Sequence, residues 1–149
     1  MPLWQIYSPP GTFTSTTKST FVTDITKFYT SIGLPAFYVV VQFHELSPED
    51  VFVGGQATTT STKPFVRVVI THIAIHSPDN DDAYRRTTAR LDQVLNKHVL
   101  ERGFGLEYHV EETERRLWKI DGMIPPPWRS EEEKLWVREN RAVEYEGAY

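Results

Sequence analysis

Pro2 is the residue whose chemistry depends most on what happens to its neighbour. The chain opens Met1-Pro2-Leu3-Trp4-Gln5-Ile6-Tyr7, and a small second residue permits removal of the initiator methionine. Inside a chain a proline nitrogen carries no proton and cannot titrate. Freed, it becomes a secondary amine; α-amino groups titrate near about 7.7–8.0 in reference peptides. An apolar pocket disfavours the ammonium form and lowers that value, which brings the amine into the range where it can take or give a proton at neutral pH. This terminus is expected to begin an ordered strand rather than a frayed end, because Trp4, Ile6 and Tyr7 follow at once.

Four other side chains could work with such an amine. Tyr29 offers a phenolic O–H for a carbonyl or enol oxygen, or is simply part of a buried helix face. His109, as a neutral imidazole, could donate to an oxyanion or relay a proton, or could be an interface histidine. Arg67 stands among apolar neighbours and either clamps an anionic substrate or pairs with a carboxylate at a subunit contact. His76 suits binding of a substrate carboxylate. His72 and His76 are four residues apart, but no third ligand accompanies them, so no metal is expected. Gly54-Gly55 lacks the lysine and helix start of a phosphate loop, which rejects nucleotide binding there.

The elements that must hold these residues alternate. Leu3 to Tyr7 reads as a first strand, ended by Ser8-Pro9-Pro10-Gly11. Phe21, Ile25, Phe28 and Ile32 recur at helical spacing, capped by Thr14 or Ser15 and stopped by Gly33 and Pro35. The many threonines of this stretch are poor helix formers, so the apolar stripe has to hold it. Phe37 to Phe43 reads as a central strand buried on both faces. Ser47 to Lys63 reads as an edge segment running into a mobile loop. Phe65 to His76 is a second long strand, followed by a helix with Tyr84, Thr88, Leu91, Leu95 and His98 on one stripe, and then by a strand from Leu106 to Val110.

This pattern predicts an α+β fold: two tandem βαβ units, 2–45 and 65–110, forming a four-stranded sheet with two helices on one face, within a single domain spanning 1–149. A C-terminal part, 113–149, adds a proline arm through Pro125-Pro126-Pro127 and a short helix from a Ser130–Glu133 capping box to about Glu139. Trp128 and Trp136 are expected to anchor it. Two helices cannot cover both sheet faces, so a symmetric self-association is expected.

Composition narrows the functional classes. The chain has 149 residues, a net charge of −4 and no cysteine. There is no basic footprint for nucleic acid and no polybasic stretch for a membrane surface. Thiolate chemistry is excluded, and a cytoplasmic location is expected from the lack of cysteine, of a long apolar run and of a secretory-type opening.

An N-terminal proline on a first strand, two βαβ halves, the Val51-Phe52-Val53-Gly54-Gly55 segment and a C-terminal proline arm together resemble the tautomerase superfamily. The closest likeness is to the cis-3-chloroacrylic acid dehalogenase group and its fungal relatives. The resemblance implies a homotrimer with the proline amine at the floor of an apolar pocket. It also implies proton transfer on enols, or water addition to unsaturated acids, with no metal or organic cofactor. The dehalogenase histidine falls on Tyr29, the arginine pair near Ile73 and His76, the tyrosine on or beside His109, and the glutamate near Ile120. Dehalogenation needs a water-activating carboxylate and a cationic clamp, so their loss leaves enol–keto proton transfer on a small-molecule substrate, with Pro2, Tyr29 and His109 catalytic and Arg67 and His76 binding. The alternative is a trimer that has kept the scaffold and only binds a small molecule or serves in assembly.

Overall fold

The computed structural model describes residues 1–61, 63–73 and 75–149. Thr62 of the threonine and serine tract and Ala74 of the second long strand lie outside the described residues. A mixed four-stranded sheet forms the middle of the chain, with order β2-β1-β5-β6. Its strands are β1 (Pro2–Ser8), β2 (Val40–Glu45), β5 (Phe65–Ile73) and β6 (Gly105–Thr113). A separate hairpin pairs β3 (Phe52–Val53) with β4 (Gln56–Ala57).

Each half is a parallel pair joined through a helix: β1 to β2 through α1 (Ser15–Ser31), and β5 to β6 through α2 (Asp81–His98). Strands β1 and β5 run antiparallel and fuse the halves, so the first strand of the chain lies in the interior of the sheet. This makes β2 an edge strand, which corrects the expectation of a central one. The apolar run alone predicts burial on both faces. Its first residues instead leave the ladder as a 3-10 turn, Ala36–Tyr38, which sends the Tyr38 ring to within 6.1 Å of that of Trp136.

Local signals explain the helices. Thr14 caps α1, its Oγ1 accepting the Thr17 N–H at 3.3 Å. The threonines that lower its propensity are accommodated because Thr20, Thr23 and Thr30 hydroxyls donate back to carbonyls one turn earlier. Asn80 caps α2 through Ala83 N–H at 2.9 Å. The Tyr84 position expected on its buried stripe is exposed, and Ala83 takes that place. Helix α3 (Glu131–Glu139) starts at Ser130, whose Oγ accepts the Glu133 N–H at 3.1 Å.

Both α1 and α2 cover one face. Trp4, Ile6, Val68 and Ile70 of the strands are fully buried against Phe21, Ile25, Leu91 and Leu95. Asp24 ties α1 to α2 by accepting from Lys97 at 2.6 Å and lying 2.8 Å from His98 Nε2. Trp136 is fully buried and anchors α3, whereas Trp128 stays half exposed under the Arg129 guanidinium, so only one of the two expected anchors is docked within the chain. The opposite sheet face carries Leu3, Gln5, Tyr7, Arg67 and Val69, only partly covered.

Candidate active site

Pro2 begins β1 and is the ladder partner of His72 on β5. Burial alternates along both strands, with Pro2, Trp4 and Ile6 on one and Val68, Ile70 and His72 on the other turned to the helices. Residues paired across a ladder share a face, so Pro2 and His72 stand side by side under α1. Tyr29 reaches the same place because it continues the buried stripe Phe21, Ile25, Tyr29. A cavity of about 130 Å3 opens here, lined by Pro2, Phe28, Tyr29, Ile32, His72 and Arg90 among others.

Three side chains form a fixed relay in its wall. The Trp4 indole N–H donates to Tyr29 Oη at 3.0 Å, and Tyr29 Oη lies 2.8 Å from His72 Nε2. Indole has only a donor to offer, so the Tyr29 hydroxyl accepts there and is free to give its own proton to Nε2. The imidazole is then neutral, with its proton on Nδ1. Burial supports that state: it lowers the His72 pKa to about 4, helped by the nearby terminal ammonium. Burial also pushes the Tyr29 hydroxyl well above its ordinary value, so it stays protonated. His72 thus lines the cavity as a neutral imidazole.

The Met1 α-amine donates to the Ile73 carbonyl at 2.7 Å. Burial lowers its pKa to about 5, against the opposing charge of Glu133. The strand start is thus a desolvated place for an amine, although with Met1 attached the Pro2 nitrogen itself is an amide.

The five residues singled out in the sequence separate in space. Pro2 and Tyr29 line the cavity together. His109 does not join them: it pairs in register with Val69, which puts it on the face away from the helices. There its Nδ1 sits 2.7 Å from Arg67 and its Nε2 3.1 Å from Glu111. Arg67 also holds Glu107 at 2.7 Å, so of its two expected roles the geometry shows the carboxylate pair rather than a clamp on this cavity. His76 lies beyond the end of β5, largely exposed and within about 4 Å of Glu112 and Glu114. Two carboxylates stand beside it, and it is not among the residues that line this cavity. Among the described residues no group of three His, Asp or Glu side chains is placed to hold a metal ion.

Two lining residues escaped the sequence reading. His72 carried a signal, since Val66, Val68, Ile70 and His72 alternate onto one face. Arg90 carried none, because a cation on a helix surrounded by other charges reads as solvated. Among the described residues it has no hydrogen bond or ion pair, and it lines the cavity as an unengaged cation.

Comparison with known proteins shows the family. Residues 1–141 match the family model described as "Putative oxalocrotonate tautomerase enzyme". The chain therefore belongs to that family of the tautomerase superfamily. No curated protein sequence matches. Among solved structures, a "probable enzyme" from the thermophilic fungus Aspergillus fumigatus is 41% identical, with 97% of this chain and 98% of that one covered at a TM-score of 0.86. Native RhCC from Rhodococcus jostii RHA1 is 35% identical, covering 96% and 99%, with a TM-score of 0.87. A member of the cis-3-chloroacrylic acid dehalogenase family shares the fold at 16% identity, with 93% and 97% covered and a TM-score of 0.68.

Proposed function

We propose that this tautomerase-family chain is a cofactor-independent enzyme in which Pro2, once Met1 is removed, shuttles a proton between carbon and oxygen of an enolisable carbonyl acid. The observation that carries it is the convergence of Pro2, Tyr29 and His72 on one apolar cavity with the imidazole held neutral. The prolyl amine takes or returns the proton at carbon. His72 Nδ1–H stabilises the developing oxygen charge, as a preorganised donor in a dry site should. Tyr29 is a positioning residue: it fixes the imidazole tautomer through Trp4. Arg90 receives the substrate carboxylate from α2.

Self-association fits the partly covered sheet face, where Arg67, His109 and the glutamates beside it would meet a second copy. Two more distant folds of the same kind are solved as trimers of a fused tautomerase, and a homotrimer is the assembly we propose. A second reading is a chain that keeps Met1, whose α-amine bonds the Ile73 carbonyl: it has no free proline amine and would only bind small molecules.

Intact mass together with enol ketonisation separates the two. The enzyme reading expects loss of Met1 from the native protein and a Pro2→Ala variant, still an amine but primary and displaced, slower by about 100-fold or more. Retained Met1, or unchanged turnover in Pro2→Ala, overturns it.

A further inference from the structure

The row that pairs Pro2 with His72 continues onto a third strand. His72 stands opposite Pro2 on one side and opposite Glu112 of β6 on the other. Paired residues share a face of the sheet, so a carboxylate belongs to the same row as the imidazole. Turned to the ring, it would favour the charged form. It is committed elsewhere. Both Glu112 oxygens accept from Ser77, the N–H at 2.8 and 3.0 Å and the hydroxyl at 2.5 Å.

Ser77 belongs to the connection from β5 to α2, and that connection is part of the cavity wall. Ile75 and Ser77 line the cavity, as do Thr87 and Arg90 of the helix that follows. Onward, the connection is tied to α2: Asn80 Oδ1 accepts the Ala83 N–H at 2.9 Å, and the Tyr84 hydroxyl donates to Asp79 at 3.1 Å. Towards the sheet, His76 is largely exposed and stands 4.0 Å from Glu112 and 3.9 Å from Glu114. Solvated charges at that separation hold weakly. The bonds of Ser77 are of another kind. They end on a carboxylate that is only 23% exposed, and hydrogen bonds to an ionised acceptor are about twice as strong as neutral ones. Among the described residues, Glu112 is the main fastening of this wall to the sheet.

Resting on the reading of Pro2 and His72 as the working groups of the cavity, we propose that Glu112 is a positioning residue: a latch that pins the 75–79 connection as cavity wall and, by engaging Ser77, keeps its own charge from His72. The groups facing His72 are the start of β1 with its terminal amine, Tyr29 of α1, Arg90 on the α2 side of the cavity and Glu112 of β6. Of these, Glu112 is the one bonded to Ser77. Lifting the connection admits water to the imidazole and frees the carboxylate beside it, and both changes favour imidazolium. Closing it reverses both. Closure of the wall and neutrality of His72 are thus one event, with Glu112 as the link. Glu112 does not itself line the cavity, so it acts through Ser77 and His72 rather than on a substrate.

The test needs no substrate. On the full chain, NMR follows the His72 ring protons from about pH 7 down to about pH 4, and hydrogen exchange follows the amide of residue 77. In wild type that amide should be protected and His72 should titrate at about 4. Ser77→Ala deletes the shortest bond and leaves the carboxylate. It should speed exchange at residue 77 by at least about tenfold and raise the His72 midpoint by about one pH unit. Glu112→Gln should speed exchange as much without that rise, because the charge is gone. The double variant should behave as Glu112→Gln does. Unchanged exchange in either variant overturns the latch, as does an unmoved midpoint in Ser77→Ala or an equal rise in the two variants. Ser77→Ala removes one hydroxyl from a half-buried residue and is expected to fold, so it decides even where Glu112→Gln does not. Because no turnover is read, a failed latch leaves the Pro2→Ala outcome standing, and a failed Pro2 reading leaves the latch measurable.

Discussion

The two faces of the sheet each carry a histidine bonded to a longer side chain, and the two behave oppositely. On the helix-covered face, His72 meets the neutral hydroxyl of Tyr29 among buried neighbours, and burial lowers its pKa to about 4. On the other face, His109 stands between Arg67 and Glu111, substantially exposed, in a wet network of full charges. A histidine becomes a fixed neutral donor when its only partner is neutral and water is excluded. One sheet therefore carries a buried, neutral histidine on one side and a charged, half-exposed surface on the other.

The comparison breaks most visibly through Tyr29→Phe and His109→Ala. Tyr29→Phe removes the relay and should lower kcat by about 10- to 100-fold, with KM nearly unchanged. His109→Ala should alter the rate by less than about threefold, provided the assembly forms; a large loss there, measured on intact oligomer, would mean that a neighbour's His109 completes the pocket.

A pH titration of stability sharpens the contrast. The folded His72 pKa of about 4 lies below the ordinary 6.5, so between those values the unfolded chain binds more protons than the folded one. Stability contributed by keeping His72 neutral is full above about pH 6.5 and is lost as the pH falls towards 4, a total of about 3 kcal/mol. Denaturant midpoints across this window should flatten in His72→Gln, and the same slope in wild type and variant would refute the assignment.

The smallest effect is expected at Arg67. Its bonds to Glu107 and His109 are partly solvated, so Arg67→Ala should cost a monomer under about 1 kcal/mol in chemical denaturation. Added salt should shrink that difference further. A larger loss in sedimentation-determined oligomer than in monomer stability would locate Arg67 at a subunit contact.

Much of this arrangement was legible in residue order. The step of four from Phe21 through Ile25 to Tyr29 fixed the helix and the face on which Tyr29 lies, and Ser130 with Glu133 marked the last helix. Period-two alternation in β5 pointed His72 at the core. The separation of His109 from Pro2 was not legible, because which strand neighbours which is set by long-range pairing; the β1–β5 and β5–β6 ladders together decide that the two residues fall on opposite faces. The edge position of β2 was hidden for the same reason. Arg90 was hidden because nothing in a run of helix charges tells which one overhangs a cavity.

The final residues close the molecule like a buckle. Ala148 is fully buried and its carbonyl receives the Ile124 N–H at 2.6 Å, while Tyr145 Oη donates to the Ile124 carbonyl and Val143 accepts from the Trp136 indole. Cutting the chain after Glu144 would unfasten the loop that clamps Trp136, and with it the helix that carries Glu133. A truncation more than a hundred residues from Pro2 in sequence should therefore loosen the helix whose Glu133 lies beside Met1.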